Sequence, residues 1–356
     1  MPTFPPLLAA WFHDLSPFAV RFTETFGVRW YGLSYVAGFI AAWWLLGRLA
    51  RRGLILVKAE AVGDVMLAVI VGTIVGGRAG YILIYRPDLL TEFTPRFPFW
   101  GALDLMHGGM ASHGAMVGII IGCWLAARRC RVRAVHVMDC ICLAAPIGTF
   151  FGRIANFVNG ELLGRIVAQP ADIASGITAA PWWGVRFPQE LLERGGESQL
   201  DAVQTMSLNA LLAPHGDPAA LDLAPAAATV IEKIQSGDQM LAAQLEPFIS
   251  VRHPSQLYQA FAEGIVVFVV LWLVWARPRK PGVILGCFFI AYGVGRVLTE
   301  FWRLPDAHLA TQRLAGLSRG QWLSVLMVAA GFAVLAWARR AVGERVGGWA
   351  SAARAN

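Results

Sequence analysis

Charge is what this chain has least of. Lys, Arg, Asp and Glu make up 15% of its 356 residues, where a soluble domain carries about a quarter. Apolar residues account for 56% and the mean hydropathy is +0.54. These proportions exclude an ordinary soluble globule and predict an integral membrane protein. The alternating strand pattern of an outer-membrane barrel is also missing. Cysteine is scarce, and Cys123, Cys130, Cys140, Cys142 and Cys287 lie in apolar runs or beside basic clusters, so no disulfide is expected. Cys140 and Cys142 stand two apart, which is not redox-pair spacing, and no cysteine is assigned a role. The opening MPTFPPLLAAWFHDLSP has no basic n-region, so no cleavable signal peptide is expected. His113 and His253 lack metal-ligand spacing with any acidic partner, so neither metal nor cofactor is expected.

What the chain has instead is long apolar runs, suited to the roughly 20 residues that cross a hydrocarbon core. Seven spans are predicted, near residues 31–48, 61–84, 112–127, 139–158, 258–276, 282–301 and 321–338. A polar stretch at 165–255 reads as a small extramembrane domain. Every second connection is a short basic cluster: Arg48, Arg51, Arg52 and Lys58; Arg128, Arg129, Arg131 and Arg133; Arg277, Arg279 and Lys280; Arg339, Arg340 and Arg345. Under the positive-inside rule those connections are cytoplasmic. The net charge of +7 is thereby accounted for without nucleic acid. The expected fold is an all-α integral membrane protein with a periplasmic N-terminus and a cytoplasmic C-terminus. Residues 1–164 then carry helices 1–4 and an N-terminal periplasmic segment, 165–255 a periplasmic head, and 256–356 helices 5–7 with a cytoplasmic tail.

With directions set, each polar residue inside a span acquires a depth, at about 1.5 Å per residue. Tyr31, Arg78, His113, Arg153 with Asn156, and Tyr292 with Arg296 and Glu300 all fall toward the outer ends of their spans. Ionisable groups at such depth mark function by default. Snorkelling explains one arginine near a helix end, and Arg296 and Glu300 by themselves fit a structural pair four residues apart. Three arginines on three helices, with His, Tyr, Asn and Glu beside them, ask for a ligand. Gly72, Gly76 and Gly80 in the second span and Gly114, Gly118 and Gly122 in the third repeat every four positions, a pattern that lets two helices approach closely. His113 stands at the rim of that seam, whereas His107 reads equally well as a loop residue.

Guanidiniums in a low-dielectric layer suit a phosphodiester, because the planar fork matches two oxygens and keeps its charge. A phosphate at headgroup depth is most simply a phospholipid's. These residues alone do not separate an enzyme from an anionic-phospholipid transporter or flippase, although a transporter calls for an inner-side counterpart site and inverted repeats, which are not found.

Five segments go further. RWYG (29–32), GGMASHG (108–114), GRIANFVNGELLGR (152–165), RHPSQLYQAFAEG (252–264) and YGVGRVLTEFWRLPDAHL (292–309) together resemble the bacterial prolipoprotein diacylglyceryl transferases, in one order across nearly the whole chain. The resemblance implies a multi-pass inner-membrane enzyme with its active site toward the periplasm. Its substrates would be phosphatidylglycerol and a preprolipoprotein signal peptide with a lipobox cysteine. It would move the diacylglyceryl group onto that thiol, forming a thioether and releasing glycerol 1-phosphate. The family's functional positions fall on Tyr31, His113, Arg153, Asn156, Glu161, Gly164, Tyr292, Arg296 and Glu300; Arg78, Asn159 and His253 join them as candidate substrate contacts. Arg153 and Arg296 would hold the phosphate, Asn156 would add a neutral donor, and Tyr31 and Tyr292 would orient headgroup or sulfur. His113 is the first candidate for thiol deprotonation, since imidazole titrates near operating pH; Glu161, Glu300 or a thiol perturbed by the arginines are alternatives. The chain departs from the family pattern at His107, where an acidic or other polar residue is common, at Ala155, where glycine is frequent, and in an expanded stretch between Arg165 and Arg252. Within that stretch PWWGVRFP (181–188) looks like a core turn, and the segment 215–247 reads as polar helix and loop without nameable chemistry.

Overall fold

The computed structural model describes residues 10–23, 27–95, 97–104, 108–192, 198–216, 223–304 and 316–349. His107 lies outside them. Long helices dominate: α1 (Trp30–Arg51), α2 (Val62–Tyr85), α3 (Ser112–Cys130) and α4 (Ala134–Asn159) come first. Shorter helices follow, among them α5 (Ala202–Leu212), α6 (Ala224–Gln235) and α7 (Gln239–Leu245). Then come α8 (Ser255–Trp275), α9 (Val283–Thr299) and α10 (Arg319–Arg340). Six helices are long and apolar enough to cross a membrane, namely α1, α2, α4, α8, α9 and α10. The chain is therefore a multi-pass membrane protein. α3 is as regular as the others, but His113, three glycines, Arg128 and Arg129 dilute the apolar character of its 19 residues. Outward-facing Ile40, Trp43, Val71, Leu83, Val269 and Leu273 are exposed, the opposite of a soluble surface and fitted to lipid.

By contacts the described residues form two compact units. One draws on described residues within 10–38, 147–267 and 291–328, the other on those within 39–146, 268–290 and 329–349. In the first unit a four-stranded sheet departs from the expectation of an all-helical chain. Its order is β1 (Trp11–Phe12), β5 (Val185–Arg186), β6 (Val251–Arg252), β4 (Ile166–Ala168), with β1 parallel to β5 and the other pairs antiparallel. A separate hairpin pairs β2 (Phe18–Arg21) with β3 (Gly27–Arg29). Beside the sheet, α6 buries Ala226, Ala227, Val230 and Ile234, a helical stripe that packs on Leu208, Leu212, Leu245 and Ile249. Asp201 caps α5 in a reciprocal box with Gln204, a device that stabilises a helix start by about 1 kcal/mol. The segment expected to be polar helix and loop thus shares a small core with α5 and Ile249.

Two buried polar contacts tie this region together. Arg252 Nε donates to Glu190 Oε2 at 2.7 Å, with the pair almost fully enclosed, and Glu190 Oε1 also accepts from Ser250 N. Burial raises the Glu190 pKa, opposed by the Arg252 charge and by these hydrogen bonds. His13 is fully buried; its Nε2 is 2.8 Å from the Phe157 carbonyl, and its ring lies against Trp11, Phe157 and Phe187.

In the second unit α2 and α3 meet at the glycine seam the sequence predicts. A Cβ on Gly76 would strike the Gly114 carbonyl, and one on Gly118 would strike that of Gly72. Only glycine allows backbones this close.

Candidate active site

The first unit holds most of the candidate residues. α4 supplies Arg153, Asn156 and Asn159; α9 supplies Tyr292 and Arg296, with Glu300 in the tighter turn that follows. They gather around a residue that the sequence reading overlooked, Glu263. Its side chain is completely enclosed, and it sits in a π-helical turn, Ala260–Val266, within α8. Such turns occur often at functional positions, because the extra residue re-aims a side chain. Gly264 next to it packs against the backbone of Phe150 on α4, where a side chain would collide.

Glu263 is shared by two arginines through separate oxygens. Arg153 Nε and Nη2 donate to Oε2 at 3.2 and 2.9 Å. Arg296 Nη1 lies 3.7 Å from Oε1, which also accepts from Thr299 Oγ1 at 3.1 Å. On its other side Arg296 Nη2 faces Glu300 Oε2 at 3.3 Å, and Arg303 Nη1 lies 3.5 Å from the same oxygen. Tyr292 hydrogen-bonds Arg153. Three arginines against two carboxylates leave an excess of one positive charge. The carboxylate is sealed while the guanidiniums are not: Glu263 is 0% exposed, Arg153 16% and Arg296 18%. Arg296 Nη1, itself shielded from solvent and facing Glu263, has no hydrogen-bond partner. A buried carboxylate thus fixes two forks from behind, and it is their partly exposed remainder that can meet an anion. Gln259, four residues before Glu263 and fully buried, has neither amide atom satisfied, an unmet demand in the same helix.

Tyr31 opens α1, its hydroxyl 3.2 Å from that of Tyr35 and within electrostatic reach of Arg153 and Glu161. After α4 the chain turns through Gly160 and Leu162, both with positive φ. Asn159 Nδ2 donates to Glu161 Oε1 at 3.2 Å, and Glu161 N to the Asn156 carbonyl at 2.9 Å. Gly164 lies against the His253 backbone so closely that any side chain would collide; its carbonyl accepts from Arg252 Nη1 at 3.0 Å. His253 stacks on Trp183, centroids 5.0 Å apart, and burial, then the Arg165 charge, lowers its pKa. Both effects favour the neutral ring.

The remaining candidates, Arg78 and His113, belong to the second unit. His113 stands in the first turn of α3 and lines an apolar groove of about 610 Å³ along the glycine seam. Arg78 is nearly buried and gives its guanidinium to backbone carbonyls: Ala102 at 2.8 Å, Gly101 at 2.6 Å, Gly108 at 2.8 Å and Gly109 at 3.0 Å. Four of its five N–H groups are therefore committed to the loop before α3. The sequence places Arg78 beside Arg153 as a phosphate ligand; the fold gives it mostly to that loop. Glu263 had a signal of its own, an acidic residue inside an apolar span, within a quoted motif.

A family model described as prolipoprotein diacylglyceryl transferase matches residues 17–337. Three similar relatives carry the name phosphatidylglycerol–prolipoprotein diacylglyceryl transferase. That of Bdellovibrio bacteriovorus is 41% identical, covering 95% of this chain and 96% of its own length. That of Rhodospirillum rubrum is 36% identical over 89% and 90%, and that of Chromohalobacter salexigens 33% over 92% and 94%.

Proposed function

The chain belongs to the prolipoprotein diacylglyceryl transferase family, and we propose that it transfers the sn-1,2-diacylglyceryl group of phosphatidylglycerol to the lipobox cysteine of a preprolipoprotein. The observation that carries the reading is the pair of open guanidiniums, Arg153 and Arg296, held on the two oxygens of enclosed Glu263. In this reading the cysteine sulfur attacks the glycerol carbon that bears the phosphate. The C–S bond forms as the C–O bond breaks, and its electron pair stays on the phosphate oxygen of departing glycerol 1-phosphate. Arg153 and Arg296 take up the charge that grows there, and Glu263 spares them the reorganisation. Glu300 and Tyr292 orient Arg296 and Arg153 respectively, and Asn156 adds a neutral donor. Tyr31, Asn159, Glu161, Gly164 and neutral His253 shape the headgroup space. Arg78 acts by holding the loop before His113, and His113 takes the thiol proton.

The same reading includes a bacterial inner-membrane location and α3 as a seventh span. In support, its Val117, Ile120, Ile121 and Leu125 are apolar yet exposed. The basic ends of α1, α3 and α10 face the cytoplasm, and 165–255 forms a periplasmic head between the helical segments 1–164 and 256–356. A reporter fused after Arg340 scores cytoplasmic and one inserted near Gly216 periplasmic; the reverse at either site overturns the orientation.

Purified protein incubated with phosphatidylglycerol and a lipobox peptide yields a diacylglyceryl thioether, read by peptide mass. Unchanged peptide after incubation sinks the transfer reading. His113→Gln slows transfer by about 10² or more, with the loss shrinking as rising pH ionises the peptide thiol unaided. A loss constant with pH assigns the proton to another group.

A further inference from the structure

A second cationic site lies in the second unit, where the C-terminal end of α8, the start of α9 and the C-terminal end of α10 enclose a cavity of about 450 Å³. Four of its lining side chains are basic, Arg279, Lys280, Arg339 and Arg345, and none is acidic. Among the described residues none of the four forms an ion pair. Arg279 Nε donates to the Val274 carbonyl at 2.9 Å, and Lys280 Nζ to the carbonyls of Arg339 and Ala341 at 3.0 and 2.9 Å. Asp139, the buried carboxylate of α4, is given to the N–H groups of Gly282 and Leu285 at 2.6 and 2.7 Å, so it caps the start of α9.

An orientation signal needs only a number of basic residues on one side of the membrane. It does not need them to converge. Here the tail after α10 folds back to bring the last of them in: Arg279 and Val346 exchange backbone hydrogen bonds at 2.9 and 2.8 Å, and Trp349 stacks on Trp272 with centroids 4.7 Å apart. Below the charges the walls are apolar, with Val283 and Cys287 one turn apart on α9 and Leu335 on α10. Cations over an apolar slot at the end of membrane-spanning helices match an amphiphile, a phosphate with a hydrocarbon chain beneath it.

We propose that this cavity holds the headgroup phosphate of an anionic phospholipid, with an acyl chain along Val283, Cys287 and Leu335. The site is independent of the transfer reaction; only its assignment to the cytoplasmic leaflet rests on the proposed orientation. Its occupant ties α8, α9, α10 and the tail to one another.

Cys287 is half-buried in the cavity wall and reports occupancy. Full-length protein in phosphatidylcholine nanodiscs, with or without added phosphatidylglycerol and without peptide, is alkylated, and modification of Cys287 is followed by peptide mass. Cys130, half-buried at the end of α3, serves as the reference for reagent access. Phosphatidylglycerol slows Cys287 relative to Cys130, about tenfold where the lipid stands ten times above its dissociation constant. Arg339→Gln/Arg345→Gln abolishes that protection; Arg345→Gln alone, in the exposed tail, weakens it and serves where the double variant does not fold. Equal rates in the two lipids, or undiminished protection in the variants, overturn the site. Equal protection by inorganic phosphate in phosphatidylcholine discs makes it a soluble-anion site and overturns the lipid assignment.

Discussion

Arg78 on α2 gives four hydrogen bonds, every one to a backbone carbonyl of residues 101–109. Arg153 on α4 gives Nε and Nη2 to a single carboxylate oxygen, and Arg296 on α9 faces two carboxylates, Glu263 at 3.7 Å and Glu300 at 3.3 Å. All three arginines sit in apolar helices, so position and residue type do not distinguish them. What differs is the partner. Carbonyl dipoles satisfy a guanidinium one donor at a time, and a fork surrounded by them has little left to offer. A carboxylate offsets the guanidinium's charge as well as accepting its hydrogen bonds. Partner and exposure together set Arg153 and Arg296, 16% and 18% exposed, apart from Arg78, 7% exposed and held by a loop.

Lysine tests that distinction with the largest effect, because it keeps the charge and loses the fork. Arg153→Lys and Arg296→Lys are each expected to cut transfer to the lipobox peptide by about 10² to 10³, with little change in the thermal midpoint in detergent. Arg78→Lys is expected to do the reverse. It forfeits several hydrogen bonds of roughly 0.5–1.5 kcal/mol each, so the midpoint falls while turnover per folded molecule holds. A catalytic loss in Arg78→Lys without a stability loss breaks the comparison and returns Arg78 to the phosphate.

Glu263→Gln sharpens it further. Glutamine keeps the volume but loses the charge that offsets both guanidiniums. Hydrogen bonds to charged groups contribute about 1.5–3 kcal/mol, so kcat falls by roughly tenfold to a hundredfold while the KM for peptide stays near that of the parent. Glu263→Asp restores the charge at a shorter reach and recovers part of kcat. A variant Gln enzyme that is merely less stable, with kcat per folded molecule unchanged, reduces Glu263 to a packing role.

These contrasts also show what a sequence can carry. Apolar runs located the long helices, because the bilayer demands length and composition rather than particular partners. Arg153, Arg296 and Glu300 were legible as charges in an apolar context, and the glycines at 72, 76, 80, 114, 118 and 122 as a seam. Glu263 was equally visible as a charge, but its position between two arginines depends on the π-turn of α8, which apolar periodicity does not register. The partners of Arg78 are backbone carbonyls, which every residue possesses, so no sequence pattern names them. The sheet was hidden for a similar reason. Its strands have only two or three residues, too few for alternation to show, and β1 pairs with residues far along the chain, Trp11 with Val185 and Phe12 with Arg186.

The smallest expected effect sets a titrating ring against these permanently charged groups in the same unit. Burial lowers the His13 pKa from its ordinary value, more than the Phe157 carbonyl and the Asp14 charge raise it. The folded state therefore favours the neutral ring. Above about pH 6.5 the ring is neutral in both states and its packing against Trp11, Phe157 and Phe187 contributes in full. As pH falls below that value the unfolded chain takes up a proton that the folded chain resists. Stability then declines by up to about 1.4 kcal/mol per pH unit until the lower folded pKa is reached. His13→Gln keeps a donor for the Phe157 carbonyl and removes the titration. Its unfolding midpoint, scanned from neutral to mildly acidic pH, is expected to be lower at neutral pH but flatter in slope. An equally steep slope in the variant moves the acid sensitivity out of this ring and leaves His13 as packing alone.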